Sequence, residues 1–334
     1  MNNNVIEKSI KKIIINNRIN CLISACDNMN QIIIYCHGFG DNKDRIYQHA
    51  DILNINNIGI ISFDFPCHGE DLTNYKDFTY KLGIDYIESV VNYIKDNYPN
   101  IKISIIGSSF GGYMVLNYIN DKKELFHKVF LKYPAVNFYE CTKRKLKIND
   151  NYFDNNDYFE LPSGYRIYKT FYFDSKKHDI MQEFNKYNNN IYIIHGNIDK
   201  TVLLEDIMLF IKKYDIKLNI IDGATHGMKD HLDLVNEELI NFIIWQIIKI
   251  MYNNSYERGY YMSEGLETKY YNSELIEYLK GCSLKDLEGF LRNLKSNDLN
   301  KTSLKILGSI DCMLENYDKY STKNNEIKQF SKIK

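Results

Sequence analysis

The sequence predicts an α/β domain built on a mostly parallel sheet with helices on both faces. Short apolar runs of strand length alternate with longer stretches of helical periodicity from Gln31 to beyond Asp230. Several of the short runs, among them QIIIYC (31–36) and IGIISF (58–63), are almost continuously apolar, as strands buried on both faces are. Each of these runs straight into a Gly- or Pro-containing corner, where an open α/β sheet places its loops and its ligands.

Taken in order, residues 9–16 and 18–25 are two β-leaning runs about the dipeptide Asn16-Asn17, read as an opening hairpin. The strand 31–36 leads into His37-Gly38-Phe39-Gly40, a corner whose backbone N–H groups can face a ligand. A helix is expected over 44–56. The strand 58–63 follows, ending in the turn-rich loop Asp64-Phe65-Pro66-Cys67-His68-Gly69-Glu70. A long amphipathic helix over 78–98 returns the chain to the β-branched run beginning at Ile101. That run enters Gly107-Ser108-Ser109-Phe110-Gly111, and apolar residues at helical spacing resume over 113–120. Strands at 128–133, 191–195 and 217–221, with helices near 204–214 and from about Asp230, continue the alternation.

Composition bounds the rest. A chain of 334 residues has room for one large α/β domain plus an appendage. With 42 basic and 43 acidic residues the formal charge is −1, which gives no electrostatic case for nucleic acid. The 28 Tyr against four Pro and one Trp express a drift across the whole chain, so a single Tyr carries little information. The start, MNNNVIEKSIKK, lacks the apolar core of a secretory signal. The most apolar late segment, 239–252, is broken by Asn241, Gln246 and Lys249 and falls short of a membrane span. Seven cysteines without a C-x-x-C pair fit reduced thiols, and the expected location is cytoplasmic.

The stretch around Ser109 organises the chemistry. G-x-S-x-G between a strand and a helix fits a nucleophile elbow, a turn so sharp that its central residue is strained and its hydroxyl stands exposed above a helix N-terminus. Downstream, Asp199 in HGNIDKTV and His226 in DGATHGM each follow a strand, so both lie on the same sheet edge as Ser109. With Ser, acid and His in this order, the chain resembles the α/β-hydrolase family over about residues 9–251. His37-Gly38-Phe39-Gly40 looks like that family's oxyanion loop. Residues 64–70 look like its D-x-P-G-H-G-x loop, with Cys67 in place of the usual Gly. Together with Ser163-Gly164-Tyr165, these features look most like feruloyl- and cinnamoyl-esterase-like hydrolases and the related monoacylglycerol-lipase group.

The resemblance implies an α/β-hydrolase fold with a cap insertion and a serine hydrolase that cleaves a carboxylic ester through an acyl-enzyme. It implies Ser109 as nucleophile, His226 as base, Asp199 as the acid orienting it, and the backbone N–H groups of Phe39 and Phe110 as the oxyanion hole. It implies a small acyl ester or thioester as substrate, with no metal or organic cofactor. Thioesterase and acyltransferase chemistry use the same triad and stay open, as does a binding protein working through its C-terminal helices. Asp222, at the end of the strand delivering His226, is the rival for the acid role. His37, His68 and His195 also sit at strand ends and read as structural.

Residues 134–190 form a long aromatic-rich insertion, expected to cap the serine as part of a domain covering 1–252. From 253 to 334 the pattern changes to amphipathic helices, with Leu284, Leu287, Phe290, Leu291 and Leu294 on one face and Leu304, Leu307, Ile310, Leu314 and Tyr317 on another. This helical extension needs an apolar partner surface, either the hydrolase body, a second copy or another protein.

Overall fold

An eight-stranded sheet organises the computed structural model, which describes residues 10–26, 29–187 and 189–243. The expected extension, 253–334, lies outside the described residues. β1 (Ile10–Ile15) and β2 (Ile19–Ser24) form the opening antiparallel hairpin. Asn16 and Asn17 both take positive φ, 52° and 54°, as the turn of a right-twisted hairpin requires. β3 (Gln31–Cys36), β4 (Ile58–Phe63), β5 (Lys102–Ser108) and β6 (Val129–Lys132) come next in the chain. A small separate hairpin, β7 (Tyr158–Glu160) with β8 (Arg166–Tyr168), precedes β9 (Ile191–Gly196) and β10 (Lys217–Ile221). The order across the main sheet is β1-β2-β4-β3-β5-β6-β9-β10, and every pairing from β4 to β10 is parallel.

Every residue of β3, β4 and β6 is buried, so both faces of the sheet centre are covered. The covering helices are α1 (Ala50–Ile55), α2 (Tyr80–Asn97), α3 (Phe110–Lys122), α4 (Phe138–Leu146), α5 (Lys169–Lys177) and α6 (Leu204–Tyr214), with a further helical stretch at 232–243. The chain leaves β3 for β4 on one side and then crosses back to β5 on the other. This makes the C-terminal ends of β3 and β5 a topological switch point, where open α/β sheets open a crevice.

One element differs from its expectation. The helix over 44–56 is divided into a 3₁₀ segment, Lys43–Gln48, and α1, with His49 between them at φ −130°. Both ends of the first segment are pinned. Lys43 gives its backbone N–H to Asp64 Oδ1 (2.8 Å) and its ammonium to Oδ2 (2.9 Å), while the His49 ring is bonded on both nitrogens. Tertiary hydrogen bonds override local helical propensity here.

The insertion between β6 and β9 holds α4, the β7–β8 hairpin and α5. It builds a small core of its own from Tyr139, Phe153, Ile167 and Tyr172, against which Phe39 packs.

Candidate active site

Ser109 follows β5 directly and precedes α3, at φ 51° and ψ −114°, a conformation that non-glycine residues rarely adopt. Three backbone bonds hold it there. Its N–H donates to the Lys132 carbonyl (3.0 Å), and its own carbonyl accepts from Tyr113 (3.1 Å) and Ala135 (3.0 Å). The flanking glycine is a packing requirement: a Cβ on Gly111 would lie 2.2 Å from the Cys36 carbonyl oxygen. The start of α3 can press against the end of β3 only without that atom.

His226 lies in the loop after β10 and Asp199 in the loop after β9. The imidazole Nε2 is 3.0 Å from Ser109 Oγ, and Nδ1 is 2.7 Å from Asp199 Oδ2. An ionised carboxylate only accepts, so Nδ1 carries the proton and Nε2 is left to accept from the serine hydroxyl. Asp199 is 6% exposed, and its Oδ1 accepts from the N–H groups of Thr201 (2.8 Å) and Val202 (3.0 Å). Burial alone would raise its pKa, but the bonds from His226, Val202 and Thr201 outweigh burial and hold the carboxyl below its usual range. Asp222 does not reach this chain of bonds; its Oδ1 accepts from Asn197 Nδ2 at 2.6 Å.

The other strand-end histidines are fixed by backbone. His37 Nδ1 donates to the Gly38 carbonyl (2.8 Å) and its Nε2 accepts from the Phe65 N–H (3.1 Å), while burial lowers its pKa to about 4. His68 Nδ1 donates to the Pro66 carbonyl (2.8 Å), with burial lowering its pKa to about 3. His195 donates to the Val202 carbonyl (3.1 Å) and packs behind Asp199. None of the three reaches Ser109 by hydrogen bond. Cys67, where the resemblance leads one to expect glycine, takes φ 67°, the left-handed region that glycine favours.

Phe110 opens α3, where N–H groups have no intrahelical acceptor. The loop carrying Phe39 runs beside the serine, since a Cβ on Gly38 would sit 3.6 Å from Ser109 Cβ. A cavity of about 180 Å³ adjoins Ser109 and His226, lined among others by Phe39, Tyr133, Phe138 and Leu146. The insertion therefore supplies part of its wall. Tyr133 and Lys132, which the sequence reading passed over, are also close by. The Tyr133 ring meets His226 edge to face at 4.9 Å between centroids. The signal for Lys132 was a lysine inside an otherwise apolar strand, FLKY.

Residues 27–152 match the family model described as serine aminopeptidase, S33. The solved structure of Est1E from Butyrivibrio proteoclasticus, with ferulic acid bound, superposes with a TM-score of 0.62 at 23% identity, covering 71% of this chain and 99% of that one. The chain has the α/β-hydrolase fold. A putative hydrolase from Agrobacterium vitis S4 gives a TM-score of 0.60 at 19% identity over 70% of this chain and 98% of the neighbour. A monoglyceride lipase homologue of Monkeypox virus is 28% identical over 113 residues, which is 32% of this chain. That match spans 39% of the viral protein's length. Among the described residues no helix is long and apolar enough to cross a membrane.

Proposed function

We propose that this α/β-hydrolase is a serine hydrolase that cleaves a carboxylic ester through an acyl-enzyme. The observation that carries the reading is the 3.0 Å approach of His226 Nε2 to Ser109 Oγ at a strained strand-to-helix corner. In the acylation step Ser109 Oγ attacks the ester carbonyl carbon and its proton passes to His226 Nε2. The carbonyl electron pair moves onto oxygen, where the Phe39 and Phe110 N–H groups receive it. When that pair returns, the C–O bond to the alcohol breaks, and the alcohol takes the proton from His226. Water then repeats the sequence on the acyl-serine. Asp199 holds the imidazole in the tautomer that can accept, and it stabilises the imidazolium.

The names of the similar proteins, Est1E with ferulic acid bound and a monoglyceride lipase homologue, support an ester substrate. Labelling with a fluorophosphonate tests the reading. The wild-type chain is expected to label, and Ser109→Ala to lose all labelling and lower ester turnover by several orders of magnitude while remaining folded. Full labelling of that variant sinks the assignment. A panel of acyl esters and thioesters of matched chain length then separates ester from thioester hydrolysis.

A further inference from the structure

Behind Tyr133 and the loop after His226 lies a second cavity, of about 220 Å³. It shares Arg45, Gln48, Tyr133, Gly227 and Lys229 with the cavity over Ser109, so the two adjoin. Among the described residues that line it, three side chains are cationic, Arg45, Lys132 and Lys229, and none is acidic. Lys132 is the unusual one. It ends β6, in register with Ser108, and its carbonyl accepts the Ser109 N–H, so it stands one strand from the nucleophile. It is only 2% exposed.

A buried ammonium ordinarily has a carboxylate beside it. Lys43 shows the ordinary case, with Asp64 Oδ2 at 2.9 Å and Glu70 at 3.2 Å. Among the described residues Lys132 has no such partner. Its Nζ lies 3.0 Å from His49 Nε2 and 5.0 Å from the centre of the Tyr35 ring. The His49 Nδ1–H is committed to Asn236 Oδ1 (2.6 Å), so Nε2 is the accepting nitrogen and the ring is neutral. This arrangement aims a lysine with spare donors, its charge unmatched, at a cavity joined to the reacting serine.

We infer that the second cavity is a carboxylate subsite, and that the preferred substrates are esters bearing a free carboxylate which Lys132 receives while the ester bond lies at Ser109. The inference rests on the serine-hydrolase reading for the position of the ester, and on the cavity alone for the anion. Arg45, already paired with Asp41, and Lys229 at the rim add positive potential around the same space. Around Lys132 stand the His49 and Tyr35 rings, Arg45 and Asp41, with Tyr133 and Lys229 lining the same cavity. Burial, then Arg45, lowers its pKa to about 7, with Asp41 opposing. A bound carboxylate restores the ammonium. Affinity for an acid therefore rises as pH falls through about 7, because above that pH binding must draw in a proton.

Two measurements on the full chain test this. In the first, thermal stabilisation by succinate is followed at about pH 6 and about pH 8.5. Wild-type protein is expected to be stabilised at both, more strongly at the lower pH, and Lys132→Met to lose the effect. In the second, kcat/KM is compared for ethyl esters with and without a free carboxylate, such as monoethyl succinate and ethyl butanoate. A matched pair with the carboxylate on the alcohol side is included. The acidic ester is expected to be preferred at least about tenfold in one pair, with Lys132→Met collapsing that ratio. Should Lys132→Met fail to fold, the wild type alone still decides: succinate stabilisation that does not weaken from about pH 6 to about pH 8.5 overturns the assignment of the anion to Lys132. A wild type that hydrolyses neutral esters equally well or better in both pairs, and is not stabilised by succinate, overturns the subsite and leaves the hydrolase reading standing. Stabilisation by succinate with no labelling of Ser109 overturns the hydrolase reading and leaves the subsite.

Discussion

Asp199 concentrates the residue-scale chemistry of the site. Its two oxygens divide the work: Oδ1 takes two backbone N–H groups that fix the carboxylate plane, and Oδ2 faces the imidazole. Asp199→Asn keeps the shape and presents an amide, which favours the tautomer with Nδ1 unprotonated, so Nε2 can no longer accept from Ser109. Turnover of an activated ester is expected to fall by roughly 10³–10⁴-fold. Asp222→Asn, which disturbs only the bond to Asn197, is expected to change it by no more than several-fold. A larger loss at Asp222 than at Asp199 would reverse the assignment. The hydrogen-bonded juxtaposition of Ser109, Asp199 and His226 was legible because chain order and the strand preceding each one constrain them jointly. Lys132 was legible only as a lysine in an apolar strand, because its meaning depends on His49, 83 residues away, and on the absence of a paired carboxylate among the described residues. Neither fact has a local signature.

At the scale of elements, close backbone approaches hold the site together. β9 ends in Gly196, where a Cβ would sit 2.1 Å from the Ala224 carbonyl oxygen, two residues before His226. Gly196→Ala must push the His226 loop away from β9, and Asp199, three residues on, shifts with it. Turnover is expected to drop at least tenfold, since small displacements of reacting groups are expensive. The free energy of unfolding should fall by an amount typical of overpacking, about 1–3 kcal/mol. A variant with wild-type kcat/KM shows that the loop position is not set by this contact. The strands were legible to within a residue or two because their apolar runs are bounded by turn residues on each side. The break at His49 and the β7–β8 hairpin were not. The first is imposed by tertiary bonds, and the second has three-residue strands with no alternation to read.

For the whole molecule, the buried histidines set a limit on the acid side. Burial is the first cause of the depression of His37 to about 4 and His68 to about 3, and it also lowers His49 and His195. An unfolded histidine takes up its proton near pH 6.5, whereas His37 and His68 stay neutral in the folded chain until far lower pH. Between those values the unfolded state binds more protons, so stability is fully present above about pH 6.5 and is lost as pH falls. Each fully depressed ring contributes a slope of up to about 1.4 kcal/mol per pH unit, so His37 and His68 alone make the fold steeply acid-sensitive between pH 6 and the low fours. Denaturant midpoints measured from about pH 7 down to about pH 5 are expected to fall continuously, with proton uptake on unfolding near two or more. His68→Asn separates the cause from general acid effects. The amide can still donate to the Pro66 carbonyl and cannot titrate, so the slope should flatten by about one proton, whatever the variant's absolute stability. A pH-independent midpoint in the wild type, or an unchanged slope in His68→Asn, would mean that His68 is not held neutral by its burial among Phe39, Phe78, Phe110 and Tyr165.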